Sequence, residues 1–178
     1  MDMDSDFMNR NKELFFNLAG TFEDDNYSWI TDKIAIGSHI SPYPPFQIIV
    51  NMNYPYNGAI HNLIQRKKHT FDNRHYIIYT LGINDDRTFS IVPILTQLLS
   101  LLRDECETHK GARILFHCFA GKSRSVAAAL AYLVEIDKMK YEDALSLVKE
   151  KRPLVAMNIG FQKELETFYG EDEIEAKV

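Results

Sequence analysis

Cysteine is scarce in this chain, which has only Cys106 and Cys118 among its 178 residues. Two thiols are too few for a disulfide scaffold, and a chain of this length can bury a core without one. Long apolar runs are also missing. The longest, Val126 to Val134, falls well short of the about 20 residues that span a bilayer. The opening stretch MDMDSDFMNR is acidic and lacks the apolar centre of a secretory signal. Excess positive charge is absent too. A net charge of −5 argues against nucleic acid as a stable partner. The expectation is a soluble protein of a reducing compartment, cytoplasm or nucleus, with no membrane span and both thiols free.

What is present is a globular composition, 46% apolar, organised as alternating strand and helix patterns. Residues 1–26 read as an N-terminal extension, helical in part, with Phe7, Leu14 and Leu18 on one face. Residues 27–170 read as one folded domain and 171–178 as an acidic tail. The β-type runs are KIAIG (33–37), FQIIVNM (46–52), HYIIYTL (75–81) and RILFHC (113–118). A helix begins near Ser90, which can cap it, with Pro93 tolerated in its first turn. Its stripe is Ile91, Leu95, Leu98, Leu99, Leu102 and Cys106. A second helix follows HCFAGKSRS (117–125). A third runs from Tyr141 to about Lys151, before Pro153. A fourth is capped by Asn158 and ends at Gly170. The fold class is therefore α/β: a central, mostly parallel twisted sheet flanked by helices.

The stretch HCFAGKSRS raises a chemical question: why does a tight strand-to-helix turn hold a thiol and two cations? Cys118 ends a buried strand, where ligands of open α/β sheets bind. Gly121 permits the turn. The backbone N–H groups of Phe119, Ala120, Gly121, Lys122, Ser123 and Arg124 have no helical partners. Curled together, they form an anion nest at the positive end of a helix. Arg124 adds a fork that holds two phosphate oxygens. A thiol at the base of such a cradle is acidified, from ~8.5 to roughly 3.5–7.5. The pattern binds a tetrahedral anion and aims a thiolate at it, which is phosphoryl transfer through a cysteinyl-phosphate.

HCFAGKSRS matches H-C-x-x-G-x-x-R-S and resembles the signature of the cysteine-dependent dual-specificity protein phosphatases. WITDKIAIGS is similar to that family's first strand region. FQIIVNM is similar to its V-L-N strand, and RPLVAMNIGFQKEL to its R-P-x-x-x-P-N-x-G-F-x-x-Q-L segment. The resemblance covers residues 27 to 169 and departs at Met157, where proline is usual, and Glu164, where glutamine is usual. It implies a protein tyrosine phosphatase-like fold, a phosphorylated protein as substrate, and neither metal nor organic cofactor. It further implies that Ser125 assists the sulfur, that His117 orients the loop from below, and that Asn158 ties that histidine or the loop backbone to the last helix. The leaving oxygen needs a proton from a carboxylic acid. The family places an Asp after the strand that precedes the long helix. Here YTLGINDDRTFSI offers Asp85, the preferred register, and Asp86, the alternative.

Other readings compete with these. Cys106 and His109 form C-x-x-H, but Cys106 continues a leucine stripe, so packing is expected rather than a metal. RKKH (66–69) is expected to be a solvated charged face. Lys122 raises the alternative of a phosphoinositide or other lipid phosphatase, and an RNA 5′-triphosphatase of the same fold is a further one. Phe119, where lipid-type enzymes often have lysine, favours protein substrates. A phospho-binding module without turnover is the non-enzyme alternative. The N-terminal helix is expected to cover its own domain, with homodimerisation as its second role.

Overall fold

Consecutive apolar residues of the central strands serve the two faces of the sheet in turn, because side chains along a strand alternate sides. The structure, a computed structural model, describes residues 26–41, 43–54 and 64–170. Its strands are β1 (Tyr27–Trp29), β2 (Ile34–Gly37), β3 (Ile48–Tyr54), β4 (Ile64–Phe71), β5 (Arg74–Gly82) and β6 (Ile114–His117). They form one sheet in the order β1-β2-β6-β3-β5-β4. The inner strands β2, β6, β3 and β5 are mutually parallel, and the two edges are antiparallel. The described helices are α1 (Val92–Thr108), α2 (Arg124–Glu135), α3 (Tyr141–Lys151) and α4 (Ile159–Tyr169).

Ile34, Ile36, Ile48, Val50, Tyr79, Leu81, Ile114 and Phe116 face one core, which also holds the apolar faces of the helices. Their neighbours Ala35, Ile49, Ile78 and Leu115 face the other side. There Tyr27 and Trp29 cover Phe46, each with a ring-centre distance of 5.0 Å to it. Burial on both faces is what parallel strands require. Helix α2 is buried along most of its length and touches α1, α3 and α4 as well as β2 and β6. Its alanines, Ala127, Ala128, Ala129 and Ala131, let those neighbours approach. The expected strands and helices are found within a few residues of their predicted limits. The N-terminal extension up to residue 25 and the acidic tail lie outside the described residues.

Two local expectations change. The RKKH stretch is part of β4, an edge strand with no apolar alternation to announce it. Gln65 to Lys68 are exposed, as charged residues on an edge should be. Arg66 is more than a solvated charge: it holds Glu105 of α1 in a bidentate pair at 2.7 and 2.9 Å. The Tyr79 hydroxyl donates to the same carboxylate. Arg66 chiefly, with Tyr79 assisting against burial, holds the Glu105 carboxyl below its ordinary range. The second change concerns α1, which starts at Val92 with no side-chain cap from its own segment. Glu164 of α4 replaces the expected Ser90 cap. Its carboxylate accepts from the Ser90 hydroxyl at 2.7 Å, the Ile91 N–H at 2.9 Å and the Val92 N–H at 3.1 Å.

Glu164→Ala should therefore cost about 1–2 kcal/mol, the upper range for losing an N-terminal cap. Urea unfolding should show a lower midpoint with unchanged slope, and Glu164→Gln, which keeps one acceptor, should lose less. An unchanged midpoint for Glu164→Ala would show that the carboxylate does not cap α1.

Candidate active site

The β6–α2 turn lies at the carboxyl end of a central strand, beside the ends of β2 and β3. Gly121 adopts φ +66°, and a Cβ there would strike the Arg152 guanidinium and the Gly37 carbonyl. Only glycine suits both the conformation and the close approach. Arg152, just after α3, was not singled out from the sequence. It is 5% exposed and lies under the loop. Its Nε donates to the Gly121 carbonyl at 2.7 Å and its Nη1 to the Ser28 hydroxyl at 3.0 Å. Burial lowers its pKa, and the Cys118 charge pulls the other way. The available signal was the RP pair opening the RPLVAMNIGF segment.

The same support recurs one residue on, where the Ala156 N–H donates to the Lys122 carbonyl at 3.0 Å. In a trans peptide the C=O and the following N–H point in opposite directions. Each carbonyl held from outside therefore turns the next N–H, that of Lys122 or Ser123, away from its outer donor.

Cys118 sits on the floor, 2% exposed, with its sulfur 3.2 Å from the Ser125 hydroxyl. Burial raises the thiol pKa. The Ser125 hydroxyl, the Ser125 and Gly121 backbone N–H groups and the Arg124 charge together outweigh it, and the net shift is downward. Arg124 is fixed from behind: its Nη1 donates to the Met52 carbonyl at 2.9 Å and the Ile83 carbonyl at 3.4 Å. Its Nε is buried and has no protein acceptor. Phe119, Ala120 and Lys122 are exposed, while Gly121 and Ser123 are buried.

The two aspartates face different ways. Asp85 Oδ1 accepts from the Ser123 hydroxyl at 2.7 Å and from Asn158 Nδ2 at 2.6 Å. Asp86 Oδ1 accepts from the Thr88 N–H at 2.7 Å and hydroxyl at 2.6 Å. Those bonds lower its pKa and bind it within its own turn. The expectation for Asn158 is partly corrected. It caps α4, accepting from the Phe161 N–H at 2.9 Å, but reaches Asp85 rather than His117. Its N–H donates to the Ser123 hydroxyl at 3.1 Å, so it meets a loop side chain, not the loop backbone. His117 is 5% exposed, and neither ring nitrogen has a well-formed hydrogen bond. Burial pushes its pKa down to about 4, against an opposing pull from the Cys118 backbone, so the ring is neutral near pH 7.

Cys106 is half-buried, 3.9 Å from the Tyr132 hydroxyl, and burial pushes its thiol up. His109 turns to Glu105, at 3.1 Å, and no metal-holding cluster occurs among the described residues. No described helix is long and apolar enough to cross a membrane.

Comparisons with known proteins agree with this geometry. The sequence matches the family described as dual specificity phosphatase, catalytic domain, over residues 42–171. A protein of Invertebrate iridescent virus 6, assigned as tyrosine phosphatase 123R, is 33% identical over 134 residues, covering 70% of this chain and 91% of its own. Dual specificity protein phosphatase 22 of Xenopus tropicalis is 47% identical over 64 residues, 36% of this chain and 30% of that protein. The human DUSP28 crystal structure superposes with a TM-score of 0.66 at 18% identity, covering 83% of this chain and 95% of that one. The chain therefore belongs to the dual specificity phosphatase family, has the fold of its catalytic domain, and is a protein phosphatase of the phosphoric monoester hydrolase class.

Proposed function

We propose that Cys118 is the nucleophile and Asp85 the general acid of a two-step phosphomonoester hydrolysis carried by residues 27–170. One observation carries this reading: the Asp85 carboxylate is tied to Ser123, inside the loop whose first residue is Cys118. Nucleophile and acid thus share one anchored frame. The N–H groups of the loop and the free Arg124 Nε hold the phosphoryl oxygens. The Cys118 thiolate attacks phosphorus, the S–P bond forms and the P–O bond to the leaving group breaks. Protonated Asp85 gives its proton to the departing oxygen. In the second step water attacks phosphorus, Asp85 as carboxylate takes the water proton, and the S–P bond breaks. The Ser125 hydroxyl supports the returning thiolate.

The substrate class follows from the rim. Phe119, Ala120, Lys122 and Asp85 are all exposed, so the cradle is shallow. A short phosphoserine or phosphothreonine reaches the sulfur, and phosphotyrosine enters with its ring held less deeply. Lys122 acts as a point charge on acidic or doubly phosphorylated peptides. Catalysis through a thiolate suits a reducing compartment, cytoplasm or nucleus. Homodimerisation through the N-terminal extension concerns residues outside those described.

Cys118→Ser should abolish turnover of a small aryl phosphate while retaining phosphate binding. Turnover near the wild-type rate would end the cysteinyl-phosphate proposal. Asp85→Asn should slow substrates with poor leaving groups by about 10²–10⁴-fold and good ones less. That pattern from Asp86→Asn instead would reassign the acid.

The two thiols should separate chemically, since one pKa is lowered and the other raised. Near neutral pH, iodoacetamide should label Cys118 first and phosphate should protect it. Peptide mass spectrometry reads the order, and equal labelling would contradict an acidified Cys118.

A panel of phosphotyrosine and phosphothreonine peptides against phosphoinositides tests the substrate. Both peptide types should be hydrolysed, with Lys122→Ala weakening the preference for acidic ones. Inositol lipids hydrolysed far better than any peptide would reverse the assignment.

A further inference from the structure

Phe119 is a large apolar side chain left 58% exposed at the first position after the cysteine. It is nevertheless fixed. The ring of His39, two residues beyond the end of β2, lies parallel to it, with centres 4.4 Å apart and planes within 1°. The Phe119 carbonyl also meets His39 twice, receiving the backbone N–H at 3.0 Å and Nδ1 at 2.7 Å. A carbonyl oxygen only accepts, so Nδ1 carries its proton and donates.

Two donors on one oxygen fix the plane of the peptide between Phe119 and Ala120. Because that peptide is trans, the Ala120 N–H points opposite to the carbonyl. Gly121 and Lys122, the carbonyls held by Arg152 and by the Ala156 N–H, are fixed in the same manner further round the loop. His39 alone supplies this restraint at the start of the loop among the described residues, and it does so from a segment outside the HCFAGKSRS motif.

We propose that His39 is a positioning residue for the phosphate cradle: its Nδ1–H holds the Phe119 carbonyl outward and so presents the Ala120 N–H to a bound phosphate. The inference rests on the reading of the β6–α2 loop as the phosphate site. The stack on Phe119 orients the imidazole for this bond, and the hydrogen bond does the positioning.

Two variants divide the contacts. His39→Phe keeps a ring against Phe119 and removes the side-chain donor. His39→Asn removes the ring and keeps an N–H the same number of bonds from Cα. Inorganic phosphate is the probe, read as its inhibition constant against hydrolysis of a small aryl phosphate, with thermal unfolding in parallel. For His39→Phe the phosphate inhibition constant and KM should rise together by about 3- to 10-fold, the scale of one hydrogen bond, with kcat falling less. The melting temperature should stay near wild type. His39→Asn should recover most of the phosphate affinity.

Wild-type affinity in His39→Phe overturns the proposal. So does loss in His39→Asn with retention in His39→Phe, which would make the stack the working contact. Loss that follows the melting temperature in both variants marks a structural role and also overturns it. If His39→Phe does not fold, His39→Leu, with neither donor nor ring, takes its place against His39→Asn. A wild-type protein that binds no phosphate would fail the reading of the loop itself. Phosphate binding with an indifferent His39→Phe fails this inference alone.

Discussion

The buried guanidinium of Arg152 is the contact on which the shape of the loop depends. It joins the end of α3, the Gly121 carbonyl and the Ser28 hydroxyl of β1. It also fills the space that any side chain at position 121 would need. A buried charge is tolerated only when its donors are used, and here two are used on groups that have to stay in place. A left-handed Gly121 and a buried arginine are thus one feature described from two sides.

Around that frame the electrostatics follow from geometry. Cys118 is buried, which by itself disfavours a thiolate. Donors converging on the sulfur reverse the effect, and the most direct is the Ser125 hydroxyl. His117 contributes no charge, because burial holds it neutral. The acidity of the thiol belongs to the loop and α2, not to the adjacent histidine.

Much of this was legible in the sequence, for identifiable reasons. The strands with apolar side chains on both faces, such as IAIG and ILFH, are short continuous β-favouring runs, exposed by their composition and length rather than by alternation. The C-x5-R spacing fixes a loop geometry, and Asn158 before a helical run announces a cap. What stayed hidden was contact between distant segments. Strand β4 has no alternation because it is an exposed edge. The Glu164 cap of α1, the Arg152 support and the His39 donor each join residues far apart in the chain, and only Arg152, in its RP pair, carries a local mark. Asp85 and Asp86 are adjacent and chemically identical in sequence. Only Ser123, Asn158 and Thr88 tell them apart.

Helix α4 touches the segment between β5 and α1 at three successive points. Its Asn158 cap binds Asp85, Gly160 lies so close to the Arg87 carbonyl that a Cβ would collide, and Glu164 binds Ser90. The order of the contacts is the same along both segments, so loop and helix run in matched register like two edges of a seam. A single inserted or deleted residue between Asp85 and Ser90 would open that seam at one end or the other. The length of this stretch is therefore as fixed as the spacing of C-x5-R, although no signature residue within it says so.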